Sequence, residues 1–504
     1  MQRIFLILAA LAVMTIHAQA RILTIGPGGY AGLSAAAADA QPGDTLMFSA
    51  GTHAGGAHVS NLQGTAQQWI TIMGDPAGTT LIEGGTNAFQ LSEPAYLRIT
   101  GLEFDGQSGN GVNIDDGGSF YTPAHDIVIE SCHWRGIGAT GNNDQLKMSG
   151  VDNFVVRYCE FRNGSPGGSM IDMVGCHFGR FEDNRFENGG SNCIQAKGGT
   201  HDILITRNRF YRGGQRAINI GGSTGLQYFR PQDADFEAKN IMVWANIFTG
   251  AVAPIGYVGA VRCAVLQNTI YLPEKWAVRI LQENIDARFQ QCGENLFQNN
   301  IVIVDDRADA PTFNIGPNTR PETFLFTNNL WYHIGNSGWS GPNVPTPEQN
   351  GIIGRDPLLR GPALIDGDFR PLQNSPVVGA GIATESLSDF LGQPFNDPPS
   401  IGAIEGDPPT SRVSDALPGS MTITVFPQPS RELLQLRLAG LRGGMATVDL
   451  YDITGKRLHR LRRSLTAVNG NASGLLPMGD LPSGLYYIAI TDGIQTKLHP
   501  VVHR

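Results

Sequence analysis

The sequence predicts an all-β chain in two parts: a right-handed single-stranded parallel β-helix, then a small β-sandwich at the C-terminus. Three observations carry this expectation: a repeat through the middle of the chain, a turn-rich composition and a change of strand pattern near residue 405. The repeat is visible when YLRITGLEFDG (96–106), HDIVIESCHWRG (125–136), HFGRFEDNRFENG (177–189), HDILITRNRFYRG (201–213) and TFLFTNNLWY (323–332) are stacked. Each unit reads as a short alternating strand, a polar corner and a large apolar residue. The 64 Gly and 30 Pro, with only 16% charged residues, describe many short elements and turns rather than long helices.

At the N-terminus, Arg3 precedes an apolar run from Ile4 to Ile16, and Ala18-Gln19-Ala20 supplies small residues for cleavage, so residues 1–20 read as a signal peptide. The β-helix is then expected over 21–405. An alanine-rich stretch from Leu33 to Ala40 predicts a helix that covers the first rung and blocks edge-to-edge association. Pro42-Gly43-Asp44 turns the chain into the strand Thr45–Phe48.

Within the repeat, Phe104, Trp134, Phe161, Phe186, Phe210, Phe248 and Ile270 recur at intervals of 22 to 38 residues, which fits one solenoid turn with three short strands. Two residues before these landmarks, starting from Trp134, stand Cys132, Cys159, Asn184, Asn208, Asn246 and Asn268. Stacked amides at such a position can hydrogen-bond from rung to rung and satisfy corner backbone groups. Cys132 and Cys159 would lie about 4.8 Å apart, close enough for a disulfide or for a stacked pair of thiols. The six cysteines form no C-x-x-C pair, so zinc and redox motifs are not indicated.

The net charge of −9 argues against a nucleic-acid partner. No run after Ala20 approaches the roughly 18 apolar residues of a membrane span. Asp407-Pro408-Pro409-Thr410-Ser411 marks a linker, placed at 406–419, and a new strand pattern occupies 420–504. That tail resembles the C-terminal sorting domain of the type IX secretion system of Bacteroidota, through Pro427, Pro429, Leu450-Tyr451-Asp452, Gly455, Leu481-Pro482-Ser483-Gly484 and Tyr486. The resemblance implies the type IX machinery as a partner, and a product secreted or attached to the cell surface. A monomer is expected.

A solenoid presents equivalent strand positions as a linear array, which suits a linear polymer. Aligning QLKMSG (145–150), MIDMVG (170–175), IQAKGG (194–199) and INIGG (218–222) with Leu146, Ile171, Ile194 and Ile218 inward sends Lys147, Asp172, Gln195 and Asn219 outward. Lys197 stands beside this column, and Arg279 and Asn314 continue it in later rungs. The interruption at 221–240 is expected to overhang it and bring Tyr228 and Arg230 to a sugar, with Tyr257, Lys275, Trp276 and Glu283 extending the groove. The bland alternative is a solvated sheet face, with Lys147 and Asp172 as a surface ion pair worth about 0–1 kcal/mol.

The opening segments 43–53, 64–85 and 97–106, together with CIQAKGGTHDILITRNRFYRGGQRAINIGG (193–222), resemble the alginate lyase and chondroitinase B family of polysaccharide lyases, on a pectin-lyase-like solenoid. The resemblance implies an acidic polysaccharide as substrate, with Lys197 as general base and Arg216 as the charge-stabilising partner in β-elimination. It also implies calcium. Gly189-Gly190-Ser191-Asn192 stands where the family's acidic ligands would be, which leaves Asp144, Glu160 and Asp172 as candidate ligands and the metal uncommitted. Asp115-Asp116 resembles the paired aspartates of calcium-dependent pectate lyases, yet its place before Gly117-Gly118 reads more readily as a turn. Two rival functions stay open: a glycoside hydrolase built on Asp144 and Asp172, and a noncatalytic glycan-binding surface solenoid.

Overall fold

The computed structural model describes residues 20–308, 312–383, 387–406 and most of 421–503. The leader, almost all of the linker, and the sorting-domain positions Pro427, Pro429, Gly455 and Ser483 lie outside the described residues.

Alternation builds the solenoid. Ala95–Thr100 alternates buried and half-buried side chains, and so do Val112–Asp115 and Leu146–Ser149. Each such strand buries one face and pairs in parallel with its counterpart one rung away, giving sheets of 13, 10 and 12 strands. A single apolar core runs through the stack from Ile25 to Trp331. The landmark aromatics form its spine, with Trp134 and Phe161 ring centres 4.4 Å apart, Phe161 and Phe186 5.1 Å, Phe186 and Phe210 4.8 Å, and Phe210 and Phe248 4.8 Å. The helix Leu33–Asp39 buries Leu33 and Ala36 against the first rung.

The asparagine ladder explains a backbone cost repeated at one corner. Asp183, Arg207, Ala245, Gln267, Asn299 and Asn328 all adopt left-handed φ of 50–57°, although none is glycine, a conformation that costs roughly 1–2 kcal/mol per residue. The next residue in each case is a ladder asparagine. Asn208 Nδ2 donates to Phe181 O (2.9 Å), Thr206 O (3.0 Å) and Asn246 Oδ1 (3.0 Å), and the Asn208 backbone N–H donates to the same Oδ1 (2.9 Å). This unit repeats through Asn268, Asn300 and Asn329, two rungs beyond the sequence expectation. It ends on Glu348, whose carboxylate accepts from the Asn329 N–H (3.0 Å) and from Trp331 Nε1 (2.9 Å). Cys132 and Cys159 occupy the first two ladder positions as buried free thiols.

The parallel rungs stop at Ile352–Ile353. From there the chain turns back along the solenoid: Leu359, Phe369, Val377 and Ile401 pack on Ile247, Ile301, Ile303 and Leu330. This segment covers the later rungs of the 12-stranded sheet, while the outward face of the 10-stranded sheet stays open. In the tail, a three-stranded and a four-stranded antiparallel sheet share a core that includes Leu434, Leu436, Val448, Leu450 and Ile488.

Candidate functional site

The 10-stranded sheet places one residue of each rung in a single outward column. Register runs Gln90, Asn113, Lys147, Asp172, Gln195, Asn219, Gly256, Arg279, Asn314. At its middle an ion network forms. Lys147 Nζ donates to Asp144 Oδ2 (3.0 Å) and Asp172 Oδ2 (2.6 Å), and Lys197 Nζ lies 3.1 Å from Asp172 Oδ1. Asp144 and Asp172 are each 1% exposed. Burial opposes charge on Asp172, but the two ammonium groups overcome it and hold the carboxylate below its usual range. Asp144 is pushed up by burial and then by the charge of Asp172. Lys147, despite its own burial, is raised above the ordinary lysine range by the two carboxylates.

Toward the N-terminal rungs the floor becomes a set of amides and carboxylates. Asp115 Oδ2 accepts from Gln90 Nε2 (2.6 Å) and Asn113 Nδ2 (3.0 Å). Asp115 and Asp116 do form a turn, with each carboxylate accepting a backbone N–H, from Gly117 and Gly118 respectively, at 3.0 Å. Asp116 also faces the cleft, and burial pushes its carboxyl up. Gly150 makes room for it: φ there is +65°, and a Cβ would sit 2.2 Å from Asp116 Oδ2.

The 221–240 segment forms one wall. Its anchor is Glu237, fully buried, which accepts from the Gly198 N–H (2.8 Å), the Thr224 N–H (2.9 Å), Thr224 Oγ1 (2.8 Å) and Asn284 Nδ2. A second anchor is Arg230, whose Nη1 donates to Asp152 Oδ1 (3.0 Å) and Gly175 O (3.1 Å), while His177 bridges Asp152 Oδ1 and Arg230 O. Against the penalty of burial, His177 and Arg230 hold Asp152 down to about 2. Tyr228 on this wall and Phe120, whose carbonyl oxygen accepts from Arg230 Nε at 3.4 Å, are exposed at the mouth. Together they bound an open cleft of about 820 Å³.

If Glu237 holds the wall, Glu237→Ala should leave the rungs folded but speed proteolytic cutting within 221–240 at least about tenfold, read by limited proteolysis and mass spectrometry. An unchanged cutting rate would show that the wall is held elsewhere.

Of the expected site residues, Lys147, Asp172, Lys197, Tyr228 and Arg230 line this cleft. Arg230 reaches it from a buried position rather than as a free cation. Gln195 accepts from Lys197 Nζ at 3.4 Å, and Asn219 is buried with its Nδ2 turned to Gly221 O. Arg216 pairs in register with Asn192, so Lys197 stands five residues further along its own strand, about 16 Å at 3.3 Å per residue. Arg216 and Arg279 sit with Glu283 instead. Glu160 lies on a different sheet, opposite His133 and ion-paired with Arg162, away from Asp144 and Asp172. Tyr257 is buried in the core and does not extend the groove. Calcium does not fit between Asp144 and Asp172, because the Lys147 ammonium already lies between their oxygens.

Gln90 and Asn113 were missed by sequence reasoning, and Asp115 and Asp116 were read as a turn without their place in the cleft. The alternation that flagged Lys147 would have found the first two, in VNID (112–115) and FQLS (89–92), had the alignment been carried two rungs earlier.

Residues 87–270 match the family model of the right handed beta helix region, and residues 424–503 match that of the secretion system C-terminal sorting domain. The chain joins a right-handed β-helix to a secretion sorting domain. The tail marks it for export across the outer membrane, to be secreted or held at the surface. No curated protein matches the chain in sequence. Solved structures that resemble it include a pectate lyase, Pel9A (14% identity, 77% of this chain and 96% of that one, TM-score 0.47). An alginate lyase from Paenibacillus sp. is 16% identical over 60% of this chain and 97% of its own (TM-score 0.39). A lacto-N-biosidase from Eubacterium ramulus is 13% identical over 62% of each chain (TM-score 0.42).

Proposed function

We propose that this β-helix is an exported enzyme that cleaves a polysaccharide lying along the outward face of the 10-stranded sheet. The observation that carries the reading is one cleft, with Tyr228 and Phe120 at its mouth, holding two carboxyl groups in opposite environments. Asp116 is pushed up by burial, and Asp172 is kept ionised by two lysines. Such a split assigns acid and base. In hydrolysis, Asp116 gives its proton to the leaving glycosidic oxygen as the bond to the anomeric carbon breaks, and a water molecule attacks that carbon. The water's proton goes to Asp172.

β-Elimination is the second reading, favoured by the two ammonium groups in the cleft, which would meet a uronate carboxylate. In it Lys197 takes the proton α to that carboxylate. Lys147, joined to Lys197 through Asp172, is the nearer neutralising cation, and Arg216 lies a strand's length away. Lys197 Nζ lies 3.1 Å from Asp172 Oδ1, and that contact would have to break for Lys197 to reach a substrate proton.

The test is to incubate the full chain with polygalacturonate, alginate, chondroitin and neutral glucans, measuring reducing ends and the ultraviolet absorbance of unsaturated uronate in parallel. Hydrolysis is expected to give reducing ends without absorbance, and the rate should fall as pH rises through the raised pKa of Asp116. Absorbance growing with reducing ends would move the assignment to elimination. Glycan binding with no product from any polymer would leave a binding solenoid and remove the catalytic reading.

A further inference from the structure

Many arginines on the other faces of this solenoid are matched with carboxylates. Glu130 takes both Arg98 and Arg157, Asp183 takes Arg207, and Glu187 takes Arg162 and Arg185. The C-terminal rungs of the open sheet differ. Arg216 and Arg279 are close enough to oppose each other's charge, and Glu283 is the one carboxylate acting on either, 3.8 Å from an Arg216 nitrogen and itself exposed. Burial works against both guanidinium charges.

The fold holds this pair in place. The outward column runs Asn219, Gly256, Arg279, and the Arg216 stem lies across the gap left by Gly256, where a Cβ would come 3.1 Å from Arg216 Cδ. Arg279 is fixed by Nε donation to Asn314 Oδ1 (2.9 Å) and by Trp276, whose ring centre is 4.8 Å from its Cζ. Two buried polar atoms here, Arg216 Nε and Asn219 Oδ1, have no hydrogen-bond partner among the described residues. Two fixed like charges with an unpartnered donor and little neutralisation describe a site waiting for an anion.

We infer that Arg216 and Arg279 form an anion-binding subsite for a carboxylate or sulfate group carried by an acidic polysaccharide. The subsite lies three to four rungs from Asp172 along the same column, about 14–19 Å at one strand spacing per rung. The polymer therefore runs along the solenoid axis, with a charged unit several sugars away from the bond in the cleft. This deepens the proposed function, and rests on its reading of the 10-stranded sheet as the glycan face.

The test is binding, so that it stands apart from cleavage. Affinity electrophoresis of the full chain is run in gels holding polygalacturonate (carboxylate only), dextran sulfate (sulfate only) or unmodified dextran, at low and at physiological salt. Retardation by at least one polyanion, weakened by salt and absent with dextran, is expected. Arg216→Gln and Arg279→Gln should each weaken it about tenfold or more, the size of one lost charge-assisted contact. Because each substitution relieves repulsion, Tm should hold or rise; a structural arginine would give a lower Tm. Asp116→Asn should keep the binding even where it stops cleavage, so failure of the subsite and failure of the catalytic reading give different patterns. Wild-type protein that no polyanion retards, or variants that bind as wild type does, would overturn the subsite.

Discussion

Replacing Asp172 by asparagine is expected to cut activity about 10³-fold, the scale of losing a general acid–base group, and to lower stability by about 3 kcal/mol. The two effects have one origin. Asp172 is 1% exposed and bridges Lys147 and Lys197. A neutral amide there would leave two ammonium groups sharing Asp144, Gln195 and one carbonyl oxygen. Removing one member of a buried charge network is costly because the remaining charges lose compensation. The pH dependence follows from the direction of the shift. Asp172 has a folded pKa below its unfolded value, so its contribution is present above the ordinary aspartate pKa near 4 and is lost as pH falls through the folded value. Melting curves of wild type and Asp172→Asn should therefore lie far apart at pH 7 and converge in acid. Equal Tm at pH 7 would mean that the network does not stabilise the fold.

The second large effect is expected in the ladder. Asn246→Ala should cost about 4 kcal/mol, because it strands several buried groups, each worth about 1–3 kcal/mol. Asn246 Oδ1 accepts from the Asn208 N–H (2.9 Å) and Asn208 Nδ2 (3.0 Å), while its Nδ2 serves Ile205 O (2.9 Å), Trp244 O (3.0 Å) and Asn268 Oδ1 (3.1 Å). It also follows Ala245, whose φ of 50° depends on the corner being held. Urea unfolding followed by circular dichroism would read the loss as a lower midpoint. A change under about 1 kcal/mol would reduce the ladder to a by-product of stacking.

The fold was largely legible because its logic is local and repeated. A large apolar residue every rung and an amide two positions earlier leave a period that the eye can align, and Phe161, Phe186 and Phe210 stack where that period puts them. Strand alternation likewise put Lys147 opposite Asp172, since a parallel register preserves parity. What a period cannot reveal is position along the strand. Lys197 and Arg216 look adjacent by rung, yet they stand at opposite ends of paired strands. Glu160 looks near Asp172 in sequence, but a corner separates them onto two sheets. The stretch that carries Leu359, Phe369, Val377 and Ile401 has no repeat, so nothing in the sequence announced that these side chains pack on the 12-stranded sheet. Asp116 reads correctly as a turn residue, and its second role depends on the missing side chain of Gly150, a contact between different rungs.

The most direct test of the account is a crystal structure of Asp172→Asn with an oligosaccharide of whichever polymer the wild type cuts. The sugar chain is expected beside Tyr228 and Phe120, along the column from Asn113 toward Arg279, with the scissile oxygen at Asp116. A chain bound on another face, with the cleft left empty, would contradict it.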